Sequence, residues 1–481
     1  MTVSNTRTTA IDLVSFRGNE HLLRASRLSS VLVRGGRIFQ HSTGSAATYE
    51  LSEVVTRIRT FISHNWIVLR YQKFLALTLH FNFDIAMAMT CVAMLVLGIL
   101  SVLGWLQRLV SRPWGFCCRL SCAPIFLFGI WFMRDFSGCH GCKGPSVFLD
   151  KTCIHQTDGA MQRLGIEKLS AFLANSEEML SLYTDVYLLK LWTVYETASF
   201  LTLHPIEHMK VIPTHMPLNF FADIVICYVS FPLALAIELA TGFRNSFVVA
   251  SACLVCPALI VMMRRWAREK AALHHRLSTF TVRTCMCTCE SDRPVVYRNM
   301  AELMRQTENA TPGCDDDVAL ERFELLVRNR LPEAFQSSLG LFFMRYKYIV
   351  CIAMVGMFPR ALDTAAGIPL GELTFLEFAM DSLLRCCILW VFPLCPLLLV
   401  MLEQLAACFL HWQGWRQAAW ISVVFIGVGV VIVLTGMSTT RIFAAAETSR
   451  GALIACVVIL VVACAWTWAL FSGRCLASRQ P

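Results

Sequence analysis

The sequence predicts a multi-pass α-helical membrane protein with a small α/β module split in two by a membrane hairpin. Three observations carry this. The 481 residues are 56% hydrophobic and 16% charged, with mean hydropathy +0.57, which is too apolar for two or three soluble domains. Apolar runs of membrane length recur along the chain. Two short segments, Phe61-Ile62-Ser63-His64-Asn65-Trp66 and Val147-Phe148-Leu149-Asp150 with its following loop, each end an apolar stretch in polar residues. Parallel strands deliver side chains to a ligand crevice in that way, yet a membrane-length run separates the two.

About 30 Å of hydrocarbon needs about 20 helical residues. Residues 85–106, 220–239, 246–263, 418–436 and 452–471 meet that requirement, and 348–362 and 384–402 do so with Arg360 and Arg385 near their ends. Residues 116–133 carry Arg119 in the first turn and are the weakest of about eight spans.

Residues 1–56 lack an apolar h-region, so no cleaved signal peptide is expected, and their Ser, Thr, Arg and Gly content reads as a disordered arm. The net charge of +9 is spread along the chain and does not point to nucleic acid. Arg264, Arg265, Arg268 and Lys270 directly follow a span, and the positive-inside rule places that side in the cytosol. Most of the 22 cysteines lie in or beside spans, where Cys behaves as a small hydrophobe; juxtamembrane acylation is the alternative.

Between the spans, strands are expected at 59–64, 147–150, 179–183 and 211–213, with helices at 165–176 and 186–203. Strand–helix alternation predicts a small parallel sheet. The first two strands pair only if an even number of spans separates them, so 116–133 should cross although Arg108, Arg112 and Arg119 would then lie on the outer side. The expected organisation is an arm at 1–56, module halves at 57–73 and 143–215, an inserted hairpin at 84–134 and a second hairpin at 219–263. A cytosolic helical segment at 264–343, packing on the module, four spans at 344–471 and a tail at 472–481 complete it. The sequon Asn309-Ala310-Thr311 falls in the cytosolic segment and is expected to stay unmodified.

The motifs and their order resemble a Toll/interleukin-1 receptor (TIR) domain. The matching pieces are Thr60-Phe61-Ile62-Ser63, the strand ending at Asp150, Gly165-Ile166, Ser176 before a strand, Tyr187, Trp192-Thr193-Val194-Tyr195-Glu196 and Val211-Ile212-Pro213. The chain looks like multi-pass membrane proteins that carry such a domain with Ser-His-x-Trp and Cys-Ile-His-Gln elements. The resemblance covers about 100 residues in two pieces and implies an incomplete flavodoxin-like fold. The first helix is replaced by the route into the membrane, the fifth strand and last helix are missing, and Lys190 and Thr193 replace the usual Ser and Cys. It implies a signalling or scaffold protein acting through self-association or contact with other TIR-like domains, with the module and N-terminus cytosolic.

Many TIR domains cleave the nicotinamide–ribose bond of NAD⁺ with a helix glutamate, which by resemblance is Glu196. NAD⁺ would be a substrate; no cofactor is expected. A carboxylate suits an oxocarbenium-like transition state, and Trp192 at i−4 shares its helix face. Ser63, His64, Asp150 and Thr184 at strand ends are candidate substrate-binding residues. The alternative for Glu196 is a structural ion pair with Lys190 or Lys210. His155, Gln156 and Asp158 lie in the loop after the second strand, which in TIR domains contacts other domains or gates the pocket. Cys139-His140-Gly141-Cys142 with Cys153 and His155, and Cys285, Cys287 and Cys289 with Cys314, lack the paired spacing of a zinc site, so no metal is expected. Asp223 and Glu238 in one span raise a transporter or channel reading, but 15 residues put them about 22 Å apart, too far to share a site.

Overall fold

The computed structural model describes residues 13–106, 115–139, 144–241, 246–287, 290–307, 315–339, 344–371, 374–427 (except 415, 418 and 425) and 450–471. The chain divides into two compact units. The first comprises residues 1–81, 131–217 and 272–339, the second residues 82–130, 218–271 and 340–481.

The first unit is built on a six-stranded mixed sheet. Its strands are β1 (Arg24–Arg27), β2 (Ser52–Val54), β3 (Ile58–Ser63), β4 (Ser146–Phe148), β5 (Ser176–Tyr183) and β6 (Met209–Pro213), in the order β2-β1-β4-β3-β5-β6. The strands β4, β3, β5 and β6 are parallel, whereas β1 runs antiparallel to both β4 and β2. β3 is buried on both faces from Thr60 to Ser63, which is why it reads as an apolar run and not an alternating one. Thr60 pairs with Val147 and Phe61 with Phe148. The Phe61 and Phe148 rings stack at 4.4 Å, and Phe172 of the Leu169–Ala174 helix packs on Phe148 at 4.6 Å.

The expectation of a disordered arm at 1–56, and of a purely parallel sheet, is corrected here. Residues 13–56 supply two strands and a buried apolar set, Leu22, Leu23, Leu28, Val31, Leu32 and Phe39. Polar composition concealed them because β1 is four residues long and only its middle pair, Ala25 and Ser26, is buried. Ser26 closes the seam by a 2.8 Å hydrogen bond to Thr152.

Residues 272–339 lie on the β5–β6 side of the same unit. Met286 and the Leu189–Leu191 backbone exchange hydrogen bonds of 2.7 and 3.0 Å. Phe335 meets Tyr183 edge-on at 4.7 Å, and Ser338 donates to the Met209 carbonyl at 2.9 Å. The sequon at Asn309 lies outside the described residues.

Four helices among the described residues are long and apolar enough to cross a membrane: Arg70–Val102, Met216–Ile237, Tyr346–Ala365 and Phe375–Cys408. They overlap four of the eight expected spans: 85–106, 220–239, 348–362 and 384–402. Cys117–Met133 and Cys456–Thr467 are shorter apolar stretches, residues 246–263 open the Ser246–Ser278 helix, and most of 418–436 lies outside the described residues. Within the second unit, Gly129 lets two helices approach closely, since a Cβ there would lie 2.5 Å from Met89 and 3.1 Å from Ala86. Phe83, Phe126, Phe220 and Tyr348 form an aromatic cluster with centroids 4.9 to 6.2 Å apart along its closest contacts. Asp363 is fully buried; it accepts from the Cys118 and Arg119 amides at 3.0 and 3.1 Å and pairs with the Arg119 guanidinium at 3.1 Å.

The β3–β4 pairing predicts energetic coupling across residues 64–145. A double-mutant cycle on Phe61→Leu and Phe148→Leu, read by thermal or denaturant unfolding, should give a coupling of about 0.5–1.5 kcal/mol. Strict additivity of the two losses would count against the stacked pair.

Candidate functional site

In the parallel part of the sheet, β4 lies on one side of β3 and β5 on the other, so the winding reverses between β3 and β5. Open α/β sheets bind ligands beyond the carboxyl ends of their strands at such a point. Ser63 ends β3, Tyr183 ends β5, and the Leu191–Leu203 helix follows β5.

That helix is buried almost all round. Tyr195 hydrogen-bonds Ser170 at 2.6 Å, and Leu191, Val194, Ala198, Phe200 and Leu201 are buried. Trp192 and Glu196, one turn apart, keep partial exposure. Glu196 accepts a 2.5 Å hydrogen bond from the Ser63 hydroxyl. Ser63 lies 2.6 Å from the Tyr187 hydroxyl, which in turn reaches Ser181 at 3.2 Å and Thr197 at 3.1 Å. The Thr193 hydroxyl, shared between the Tyr187 and Lys190 carbonyls, fixes the loop that carries Tyr187.

The electrostatics follow from this packing. Part of Glu196 reaches the surface, but the surrounding protein strips water from its carboxyl. That desolvation pushes it up to about 8, against the stabilising Ser63 hydrogen bond and with a smaller push from the Asp150 charge. Desolvation likewise raises Tyr187 to about 12. Glu178 on β5 moves the opposite way. Burial alone would raise it, yet the hydrogen bonds of His80 and Thr60 and the charges of His80 and Arg59 bring it to about 2. The sheet and the helix packed on it thus hold two carboxyls in opposite protonation regimes at neutral pH.

The other expected site residues fall around this pair or beside it. Asp150 accepts from Trp66 Nε1 at 2.8 Å and from the Lys151 amide at 2.7 Å. His64 is buried against Phe39 and Trp66 at 5.6 and 4.7 Å, and desolvation holds it down at about 4, so it is neutral. Thr184 stands just past β5, its buried hydroxyl without a hydrogen-bond partner. Trp192 packs edge-on against Tyr195 at 6.0 Å. An open cleft of about 410 Å³ is lined by Phe39, Gln40, His41, Ser42, Thr43 and Trp66. The residues from 39 to 43 belong to the stretch expected to be disordered, and no sequence motif marked them.

The loop after β4 is engaged internally. His155 packs on Tyr49 at 4.7 Å, and its Nδ1 accepts from the Asp158 amide at 2.9 Å. Gln156 donates to the Ile154 carbonyl at 3.0 Å and sits where a Cβ on Gly44 would fall, 2.4 Å away. Asp158 caps the Gly159–Glu167 helix through the Ala160 and Met161 amides. The Cys139 side chain, His140, Cys142, Cys289 and Cys314 lie outside the described residues, as does the Glu238 side chain. Among the described residues no three His, Cys, Asp or Glu side chains gather as metal ligands. Cys285 is buried and hydrogen-bonded to the Leu188 carbonyl. Asp223 is buried in the Met216–Thr241 helix with one carboxyl oxygen unpartnered.

No family model, curated protein or solved structure matches the chain.

The raised Glu196 makes stability pH-dependent. Its folded value, about 8, lies above the ordinary carboxyl value of 4.5. The penalty is therefore absent below about 4.5, grows as pH rises from there, and is complete above about 8. Glu196→Gln should raise the melting temperature at pH 8.5 and leave it nearly unchanged at pH 4.5. An equal effect at both pH values would show that the carboxyl is not desolvated. His64 carries the opposite dependence, because its folded value lies below 6.5. Its neutral form stabilises above that pH, and the benefit is lost as pH falls through about 4, so His64→Gln should flatten the acid limb of the unfolding profile.

Proposed function

We propose that the protein is a membrane-bound signalling protein whose TIR-like module cleaves the nicotinamide–ribose bond of NAD⁺ at the Glu196–Ser63 pair. The observation that carries this is a partly exposed, desolvated carboxyl hydrogen-bonded to a strand-end serine at the point where the sheet's winding reverses. A surface ion pair with Lys190 or Lys210 would hold the carboxyl low; Glu196 instead sits high with Ser63 as its partner.

In the reaction, the C–N bond breaks with its electron pair leaving on nicotinamide, and the ribosyl carbon becomes positive. The positive charge of bound NAD⁺ favours ionised Glu196, whose proton passes to solvent on binding, so a carboxylate stands where the ribosyl charge develops and stabilises it. The Ser63 hydroxyl holds the carboxylate oriented, Tyr187 holds Ser63, and Trp192 forms one wall. Water then adds to the ribosyl carbon and releases a proton, giving ADP-ribose. The bilayer is the expected partner of the apolar helices, and a cytosolic module would meet the cytosolic NAD⁺ pool.

A scaffold role by self-association is the second reading. It is favoured by β2, which closes one side of the sheet with Leu51 and Val54 exposed, since an unpaired edge invites another strand.

The deciding measurement is nicotinamide release from NAD⁺ by the purified full-length protein in detergent or nanodiscs. Glu196→Gln should abolish turnover with folding retained. Ser63→Ala should lower kcat by about 10- to 100-fold, the worth of a hydrogen bond to a charged group. A folded wild-type protein that leaves NAD⁺ intact removes the glycosidase reading and leaves the scaffold, which a negative charge placed on the edge by Val54→Glu should dissociate.

A further inference from the structure

Lys73 is fully buried, and its ammonium has no hydrogen-bond acceptor. It stands 4.5 Å from the centre of the Trp66 ring and 5.5 Å from that of Phe39. Ring faces offset part of the loss of hydration, but they leave an ammonium's three directional donors unanswered. Lys151, also buried, places its ammonium 5.6 Å from the same indole. Two of its donors go to the carbonyls of Ile38 and His41, at 3.1 and 2.7 Å. The nearby carboxylate is Asp150, whose oxygens are taken by Trp66 Nε1 and the Lys151 amide. Asp150 attracts both ammonium groups through space and forms no close ion pair with either. His64 adds a buried, unpartnered Nε2 on a ring 4.7 Å from Trp66. Phe39, His41 and Trp66 line the open cleft of about 410 Å³, so the cleft borders the cluster through the Phe39 and Trp66 rings on which Lys73 sits.

We propose that Lys73 and Lys151 hold a phosphate group beside Trp66, beyond the carboxyl ends of β3 and β4. Two ammonium groups on one indole match a divalent oxyanion; a carboxylate would answer one of them and leave the other unanswered. The phosphate has two possible sources with the same chemistry. It belongs either to a soluble phosphate ester entering the cleft or to a lipid headgroup, because Lys73 lies in the first turn of the apolar Arg70–Val102 helix. The site rests on its own geometry and does not depend on Glu196 as a catalyst.

The test is isothermal titration of inorganic pyrophosphate into the full-length protein in phosphatidylcholine nanodiscs, and again in nanodiscs containing a phosphoinositide. Wild-type protein should bind, and Lys73→Met and Lys151→Met should each weaken binding about tenfold or more, the loss of one charge-assisted contact. Lys73→Arg should retain binding, which guards against reading a folding defect as a loss of contact. Unchanged pyrophosphate affinity in nanodiscs with phosphoinositide assigns the site to a soluble ester, and competitive loss of affinity there assigns it to the headgroup. Equal affinity in wild type, Lys73→Met and Lys151→Met, or no binding and no phosphoinositide dependence in wild type, overturns the proposal. Glu196→Gln should bind pyrophosphate as wild type does, so this site and the glycosidase reading fail separately.

Discussion

Adjacent parallel pairing of β3 and β4, with Phe61 stacked on Phe148, constrains everything else in the first unit. Residues 64–145 lie between the two strands and contain the long apolar helix Arg70–Val102 and the shorter apolar stretch Cys117–Met133. Parallel strands joined in one sheet need a crossover that returns the chain to the same edge. Here that crossover is a helical excursion. Any membrane crossings within it must be even in number, or the strands could not lie side by side. With the pairing in place, Ser63 and Asp150 lie at the same end of the sheet, and the winding reverses between β3 and β5. Without it, neither half-module could bury its apolar faces.

The chemistry around Glu196 comes from packing more than from charge. The Leu191–Leu203 helix is covered on most sides, and the stripe containing Trp192 and Glu196 keeps some exposure. A carboxyl in that setting loses water without gaining a cation, so it sits high, while Glu178 on the same sheet gains hydrogen bonds and sits low. The Ser63–Tyr187–Thr197 chain orients Glu196 with neutral partners only.

The neighbouring cluster follows the opposite logic, with cations gathered around an aromatic ring and the local carboxylate spent on holding that ring. The segment from Phe39 to Thr43 makes this possible, because Phe39 packs on His64 and the Ile38 and His41 carbonyls anchor Lys151. What reads as a polar arm is therefore the wall of a cleft.

Long apolar runs with few charges were legible in the sequence, because hydrocarbon thickness sets a length that composition either meets or fails. So were β3, β5 and the helix carrying Trp192 and Glu196, whose residues are apolar in periods that only one local geometry can bury. The resemblance that picked out Glu196 and Ser63 came from the same local strings. Tertiary structure alone decided that Arg24–Arg27 and Ser52–Val54 extend the sheet, because strands of three and four residues carry almost no periodic signal and form only against a ready edge. It also decided that Ser63 meets Glu196 across 133 positions of chain and that Lys73 is buried beside Trp66. Contacts between residues far apart in sequence depend on how whole elements pack, and no local pattern encodes them.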